Sequence, residues 1–230
     1  MNILALDTST EYLTLALLLN EQVTGVDMHA GQSHSQKILP LLNDLLNEAK
    51  TELSNLDGIA FGAGPGSFTG LRIGCGVAQG LAFGVGLPVV GISTLMALAE
   101  GSGYENVIAC LDARVGEVYH AAYSRDGSGW IEVSPPGLYK PDEVPRLEGS
   151  NWTGAGSGWS AYPASLEAIY RGQVVQIQKD AYPRARAIAE LALPIFKAGG
   201  GLPAHEAAPV YLRNKVALKS AERGKMAGLK

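Results

Sequence analysis

Five glycines, Gly70, Gly74, Gly76, Gly80 and Gly84, fall within or at the end of one predicted helix, Ser67 to Phe83. A glycine inside a helix costs roughly 1 kcal/mol relative to alanine, because its backbone surrenders the most freedom on folding. A chain that keeps so many in one helix needs a compensating contact. Arg72 and Gln79 share one face of this helix, and every other side carries small or apolar residues. A helix apolar nearly all round is buried on most sides. Glycines spaced by four also let a second backbone approach closely. The helix therefore either threads the chain's own core or packs against a helix of a partner. Ahead of it, Ile38, Leu41, Leu42, Leu45, Leu46 and Ala49 recur at helical spacing, and Leu39, Leu42 and Leu46 add a second apolar stripe. That surplus of apolar surface favours the interface reading. The candidate contact residues are Ile38, Leu39, Leu42, Leu46, Gly70, Arg72, Ile73, Gly74, Val77, Gly80 and Leu81. Pro40 implies that the first helix starts late or kinks.

Period and turn residues give the order of the remaining elements. Asn2 to Leu6, Tyr12 to Leu19 and Gln22 to His29 read as an antiparallel meander. After the Ile38 helix come a strand from Asp57 to Phe61, the glycine helix, a strand from Pro88 to Ile92 and a short helix from Thr94 to Glu100, so the first half reads βββαβαβα. Asn106 to Asp112 then echoes Asn2 to Asp7, each an apolar strand ending in Asp and followed by Glu and a second strand. Trp130 to Tyr139 gives a third strand, Pro141 a short helical turn, and Trp152 onward a strand, a glycine loop and a helix from about Ala161 to Tyr170. The repeated opening predicts an α/β protein of two lobes, 1–103 and 104–210, each a mixed sheet with flanking helices, and a basic tail, 211–230. Residues 213–230 carry Arg213, Lys215, Lys219, Arg223, Lys225 and Lys230 against the single acid Glu222. Such a tail could touch the phosphates of a nucleic acid, although a charge run at a chain terminus is more often merely solvated.

Composition excludes several classes. With 230 residues, 47% of them hydrophobic, the chain can bury one large core or two small ones. A net charge of -4 gives no field that would draw the whole protein onto nucleic acid or an anionic membrane. Cys75 and Cys110 make neither a disulfide framework nor a metal cluster. The start of the chain lacks a basic n-region, and no apolar run approaches the roughly 18 residues of a membrane span. A cytoplasmic protein is expected. The loop Gly62 to Gly74 could present backbone N-H groups to phosphate or be a plain turn. It matches neither nucleotide fingerprint, since Leu71 stands where a P-loop needs lysine and no glycine completes the dinucleotide pattern. Ser33, His34 and Ser35 lie too close on one backbone for nucleophilic geometry, and a helix-start cap is their expected role. His29, His34, His120 and His205 show no metal spacing.

Three blocks, Gly64-Pro65-Gly66-Ser67-Phe68-Thr69-Gly70-Leu71-Arg72-Ile73-Gly74, Asp112-Ala113-Arg114-Val115-Gly116-Glu117-Val118-Tyr119 and Pro209-Val210-Tyr211-Leu212-Arg213-Asn214, resemble the TsaB (YeaZ) family. That resemblance implies an actin-like (ASKHA) fold and a non-catalytic subunit that binds and activates a TsaD-type catalytic subunit. The product is threonylcarbamoyl on N6 of the tRNA adenosine beside the anticodon, made in cooperation with a TsaE-type ATPase. It also implies that the partner contact is a four-helix bundle using His34 to Glu48 and Ser67 to Phe83. The apolar surface of these helices is suited to a homodimer of the free chain, with a monomer the alternative. The metal-binding histidines of TsaD-type proteins align with Thr94 and Leu98 here, so no catalytic metal is expected. Actin-like ATPases place nucleotide-organising acids where Asp7 and Asp112 fall. Asp7, Thr8, Ser9, Asp112, Gly154 and Gly156 are thus candidates for weak nucleotide binding, with ATP or ADP at the interface in the complex and no cofactor held tightly. Strand-end turns explain the same residues. The alternatives are a stand-alone actin-like ATPase or kinase, and a peptidase.

Overall fold

In a computed structural model, which describes residues 1–127 and 129–213, ten strands form two sheets of the same topology. In the first sheet, β1 (Ile3–Asp7) lies between β2 (Tyr12–Leu19) and β4 (Gly58–Gly64), with β3 (Gln22–His29) and β5 (Val89–Ser93) at the edges. In the second, β6 (Asn106–Arg114) lies between β7 (Glu117–Asp126) and β9 (Trp152–Ala155), with β8 (Gly129–Tyr139) and β10 (Val174–Gln178) at the edges. Each sheet opens as an antiparallel meander and continues with two parallel strands. The echo between Asn2–Asp7 and Asn106–Asp112 is therefore structural, because the two segments are the equivalent central strands. The duplicated mixed sheets with flanking helices are the α/β actin-like (ASKHA) arrangement.

Strand alternation assigns each sheet two cores. Leu4, Leu6, Leu13, Leu15 and Leu17 face α1 (His34–Glu48) and α2 (Phe68–Val85). Ile3, Ala5, Ala16, Leu18 and Ala60 face the opposite way. What covers that second face is α6 (Ala185–Lys197), a helix that arrives after the whole second sheet has been built. Conversely α3 (Thr94–Ser102), which follows the first sheet, places Leu95, Leu98 and Ala99 on β6 and β7 of the second. Among the described residues, each half thus gives its last α-helix to the other half's sheet, and α3 packs on α6 between them. The stretch 104–210 does not pack as one unit. Alanines at 185, 187, 189 and 192 of α6 against Ala5, Ala16 and Ala60 allow the close approach.

Local chemistry fixes where α6 lands. Thr14 Oγ1 accepts the Ala185 amide at 2.9 Å, giving the helix start a partner on β2. Just before it, Tyr182 stacks on Tyr12 with ring centroids 3.8 Å apart and donates to Asp27 at 3.2 Å. At its other end Phe196 lies where a Cβ of Gly58 would stand, 2.5 Å from its ring.

Three local expectations change. The first helix begins at His34 and continues through an exposed Pro40, so the proline does not delay its start. No helix follows Pro141, and the segment between β8 and β9 is turns and irregular chain. The helix expected from Ala161 to Tyr170 is two, α4 (Ser157–Ala161) and α5 (Pro163–Ile169), broken at Tyr162. Proline disfavours helical geometry in the residue before it, and Tyr162 sits at φ -135°. The basic tail beyond Arg213 lies outside the described residues.

Because Phe196 fills the first sheet's rear core, Phe196→Ala should lower stability by about 3 to 5 kcal/mol. Urea denaturation followed by circular dichroism measures this. A loss below about 1 kcal/mol would mean that α6 is not integral to the first lobe.

Candidate functional site

The glycines of α2 divide by face. On the inner side the helix lies against the turn after β1, where Thr8 Oγ1 donates to Gly70 O at 2.7 Å. A Cβ on Gly70 would overlap the Thr8 carbonyl oxygen, and one on Gly74 would stand 2.6 Å from Thr8 Oγ1. These two glycines permit an approach inside the chain. On the outer side Gly76, Gly80 and Gly84 meet nothing within 4 Å. They follow one another at intervals of four, as one line along the helix, beside Phe83, which is 80% exposed.

The interface list divides likewise. Ile38, Leu42, Leu46, Gly70 and Gly74 are buried in the first lobe's own core and are corrected from contact residues to core residues. A side chain that packs fully against its own sheet has no surface left for a second protein. Leu39, Arg72 and Gly80 are exposed, and Ile73, Val77 and Leu81 are half-buried along the margin. Arg72 is also engaged within the chain: its guanidinium lies 3.9 Å over the Phe68 ring and its Nε donates to Tyr211 Oη at 3.1 Å. Phe83 was not singled out from the sequence. It belongs to a helix apolar on every side, where period alone does not say which apolar residue faces out.

Between the lobes lies a cleft of about 870 Å³, lined by Ser9, Glu11, Ser67, Thr69, Asp112, Arg114 and the chain at 210–213 among others. Of the nucleotide candidates, Ser9 and Asp112 line it. Asp7 and Thr8 are buried and do not line it. Gly154 lies under the Trp159 ring, and a Cβ on Gly156 would overlap the Cys110 carbonyl oxygen, so both are spaced for internal packing. Asp7 and Asp112 perform the same local task. Asp7 Oδ1 accepts from Ser9 N at 2.9 Å and Ser9 Oγ at 2.8 Å, and Asp112 Oδ1 accepts from Arg114 N at 2.9 Å. Each closes an Asx turn that leads its central strand into a hairpin. The expected cap at Ser33 differs: Ser33 precedes α1, but its hydroxyl donates to Ala30 O at 2.6 Å and caps no helix N-H. His34 is buried with Nε2 3.2 Å from Tyr12 O.

Two buried groups titrate far from their usual ranges. Burial, offset in part by the Ser9 hydrogen bonds, raises Asp7 from 3.8 to about 7, and its Oδ2 has no hydrogen-bond partner. Gly62 provides the space that carboxyl occupies, since a Cβ there would collide with Oδ2. Burial lowers His120 from 6.5 to about 4. The Tyr170 hydroxyl has one proton, which Pro145 O takes at 2.7 Å, so His120 Nε2 donates to the Tyr170 oxygen at 2.7 Å and Nδ1 stays unpartnered. Among the described residues, no group of three or more His, Cys, Asp or Glu side chains converges as a metal site. Nor is any helix there long and apolar enough to cross a membrane.

The two glycine faces predict opposite signs. Gly80→Ala should stabilise by about 0.5 to 1 kcal/mol and Gly70→Ala should destabilise by more than that, read as urea midpoints. Asp7 contributes stability that is full below its unfolded value near 3.8 and lost as pH rises through about 7. Asp7→Asn should therefore gain stability relative to the parent between pH 5 and 8, by a few kcal/mol. His120 acts in the opposite sense, with stability present above about 6.5 and lost as pH falls through about 4. That acid limb should remain in the Asp7→Asn protein.

A family model described as TsaD, tRNA N6-adenosine threonylcarbamoyltransferase, matches residues 26–220. The protein from Escherichia coli (strain K12) named tRNA threonylcarbamoyladenosine biosynthesis protein TsaB is 40% identical over 95% of this chain and 97% of its own length. The Haemophilus influenzae protein of the same name is 37% identical over 95% and 96%. A solved structure described as YeaZ from Pseudomonas aeruginosa superposes with a TM-score of 0.85 at 38% identity, covering 92% of this chain and 99% of that one. With its duplicated sheets, its glycine-bearing helix and near full-length identity to these relatives, the chain belongs to the TsaB (YeaZ) family.

Proposed function

We propose that this chain is the non-catalytic partner of a TsaD-type threonylcarbamoyltransferase, and that it activates that enzyme by docking the outer face of α2, with Leu39 of α1, onto it. The observation that carries the reading is the open line Gly76, Gly80 and Gly84. Each of these costs helix stability, and nothing in the chain's own fold needs them small. A helix backbone approaching from outside offsets the cost, and Phe83 beside the line supplies apolar area to bury. Leu39 of α1, 52% exposed, supplies further apolar area to bury.

The non-catalytic assignment rests on Thr94 and Leu98, which stand where TsaD-type proteins carry metal-binding histidines. Here Thr94 donates its hydroxyl to Pro65 O and Leu98 is buried in the core under β6. In solution alone the chain pairs with a second copy through the same α2 face, and a TsaD-type chain displaces that copy. The TsaE-type ATPase and tRNA join only the assembled complex, in the cytoplasm. ATP or ADP, if held, sits in the cleft edged by Ser9 and Asp112, with the partner completing the site.

The reading is tested by reconstitution with a TsaD-type chain, a TsaE-type ATPase and the threonylcarbamoyl-AMP synthase. Omitting this chain should stop tRNA modification, while the chain alone turns over neither ATP nor peptides. Modification that continues without it would refute the assignment, and turnover by the isolated chain would favour an ATPase or peptidase. Gly80→Leu and Phe83→Asp should each weaken the complex at least about tenfold by calorimetry, equivalent to about 1.4 kcal/mol. Melting temperatures close to the parent's would accompany both.

A further inference from the structure

The three sequence blocks that carry the family resemblance meet at one place, the mouth of the interlobe cleft, and the third block is the element that joins the other two. Residues 203–213 run first along the first lobe. Leu202 and Val89 exchange backbone hydrogen bonds of 2.9 and 2.8 Å. Ala207 O accepts from Gln79 Nε2 at 2.9 Å and from Cys75 Sγ at 3.6 Å, both on α2. Val210 N donates to Ala63 O at 2.7 Å, and Val210 O passes so close to Gly64 that a Cβ there would stand 2.5 Å from it. Tyr211 then packs its ring on Phe68 and accepts from Arg72.

Within two residues the same segment reaches the second lobe. Leu212 packs on the core of Leu111, Tyr119 and Tyr123, and Arg213 donates to the Glu117 carboxylate and, at 3.3 Å, to Arg114 O. The turn it grips is strained: Arg114 and Val115 have φ of 62° and 56°, a region that a β-branched residue rarely enters. Val115 is 88% exposed, so packing does not hold the turn. The Asp112 carboxylate closes it from within, and Arg213, through its bonds on either side of the turn, braces it from the 203–213 segment.

We propose that residues 203–213 are a clasp that holds the two lobes at their observed separation across the cleft, with the Arg213–Glu117 bond as its lock. The lobes' other junction, α3 on α6, is a packed helix pair that serves as the pivot. The lock is polar and partly open to water, with side-chain exposures of 21% and 35%, so it is the junction that yields first when the cleft widens. Since the clasp also holds α2 through Cys75, Gln79 and Arg72, cleft width and the position of α2 are linked. The inference holds whether or not α2 docks a partner.

The experiment measures interlobe distance by electron spin resonance on the full chain, with labels on cysteines placed at exposed Glu48 of the first lobe and exposed Arg171 of the second. Native Cys75 and Cys110 are buried. Glu117→Gln and Arg213→Glu should each raise the population at longer distance by about fivefold, the scale of one partly exposed ion pair. The charge-swapped pair Glu117→Arg with Arg213→Glu should restore the parent distribution. Glu117→Gln is nearly isosteric and retains the fold, which thermal melting checks. Distances unchanged in the single variants, or a swapped pair that behaves like them, would overturn the clasp.

Discussion

The contact between α2 and the turn after β1 is the constraint from which the first lobe is built. Thr8 donates to a helix carbonyl, and the helix has glycines at the two positions where any Cβ would prevent that approach. So tight a seat fixes how α2 is rotated on the sheet. Rotation in turn decides that Leu71, Cys75, Ala78 and Ala82 face in and that Gly76, Gly80, Phe83 and Gly84 face out. The outward surface is thus a consequence of the inward seat. The glycines of this one helix divide between a face seated against its own chain and a face that meets nothing within 4 Å.

Much of this was legible in the sequence. Alternation and turn residues locate the first meander to within a residue, and the repeat of Asn2–Asp7 at Asn106–Asp112 reveals the duplication before any coordinates. What period does not carry is the direction in which an apolar residue points when the whole helix is apolar. Phe83 on α2 is therefore not marked by its spacing, and on α1, where two adjacent apolar stripes read as one broad surface, Ile38, Leu42 and Leu46 read as contact residues although they belong to the core. Nor does a local pattern reveal a long return. The alanines of α6 are small because they lie against Ala5, Ala16 and Ala60 of a sheet built far earlier in the chain, and no local spacing names that sheet.

The exchange of α3 and α6 ties each lobe's core to the other half of the chain. With α3 on the second sheet and α6 on the first, neither sheet keeps its rear core without the other half of the chain. Asp7 lies close to where these parts meet. Its carboxyl sits at the end of β1 in space left by Gly62, and Thr94, the first residue of α3, borders the same space. A buried acid at that point acts as a turn former through Ser9, and it does not line the cleft.

The proposed docking requires the outer face of α2 to be covered by another protein. Hydroxyl-radical footprinting of this chain, alone and mixed with a TsaD-type chain, tests it most directly, since exposed aromatic and aliphatic side chains report their own solvent access. Oxidation of Phe83 and Leu39 should fall several-fold in the mixture while that of Ile131 and Val175, exposed on the second lobe, does not change. Undiminished oxidation of Phe83 in a complex shown to have formed would contradict it.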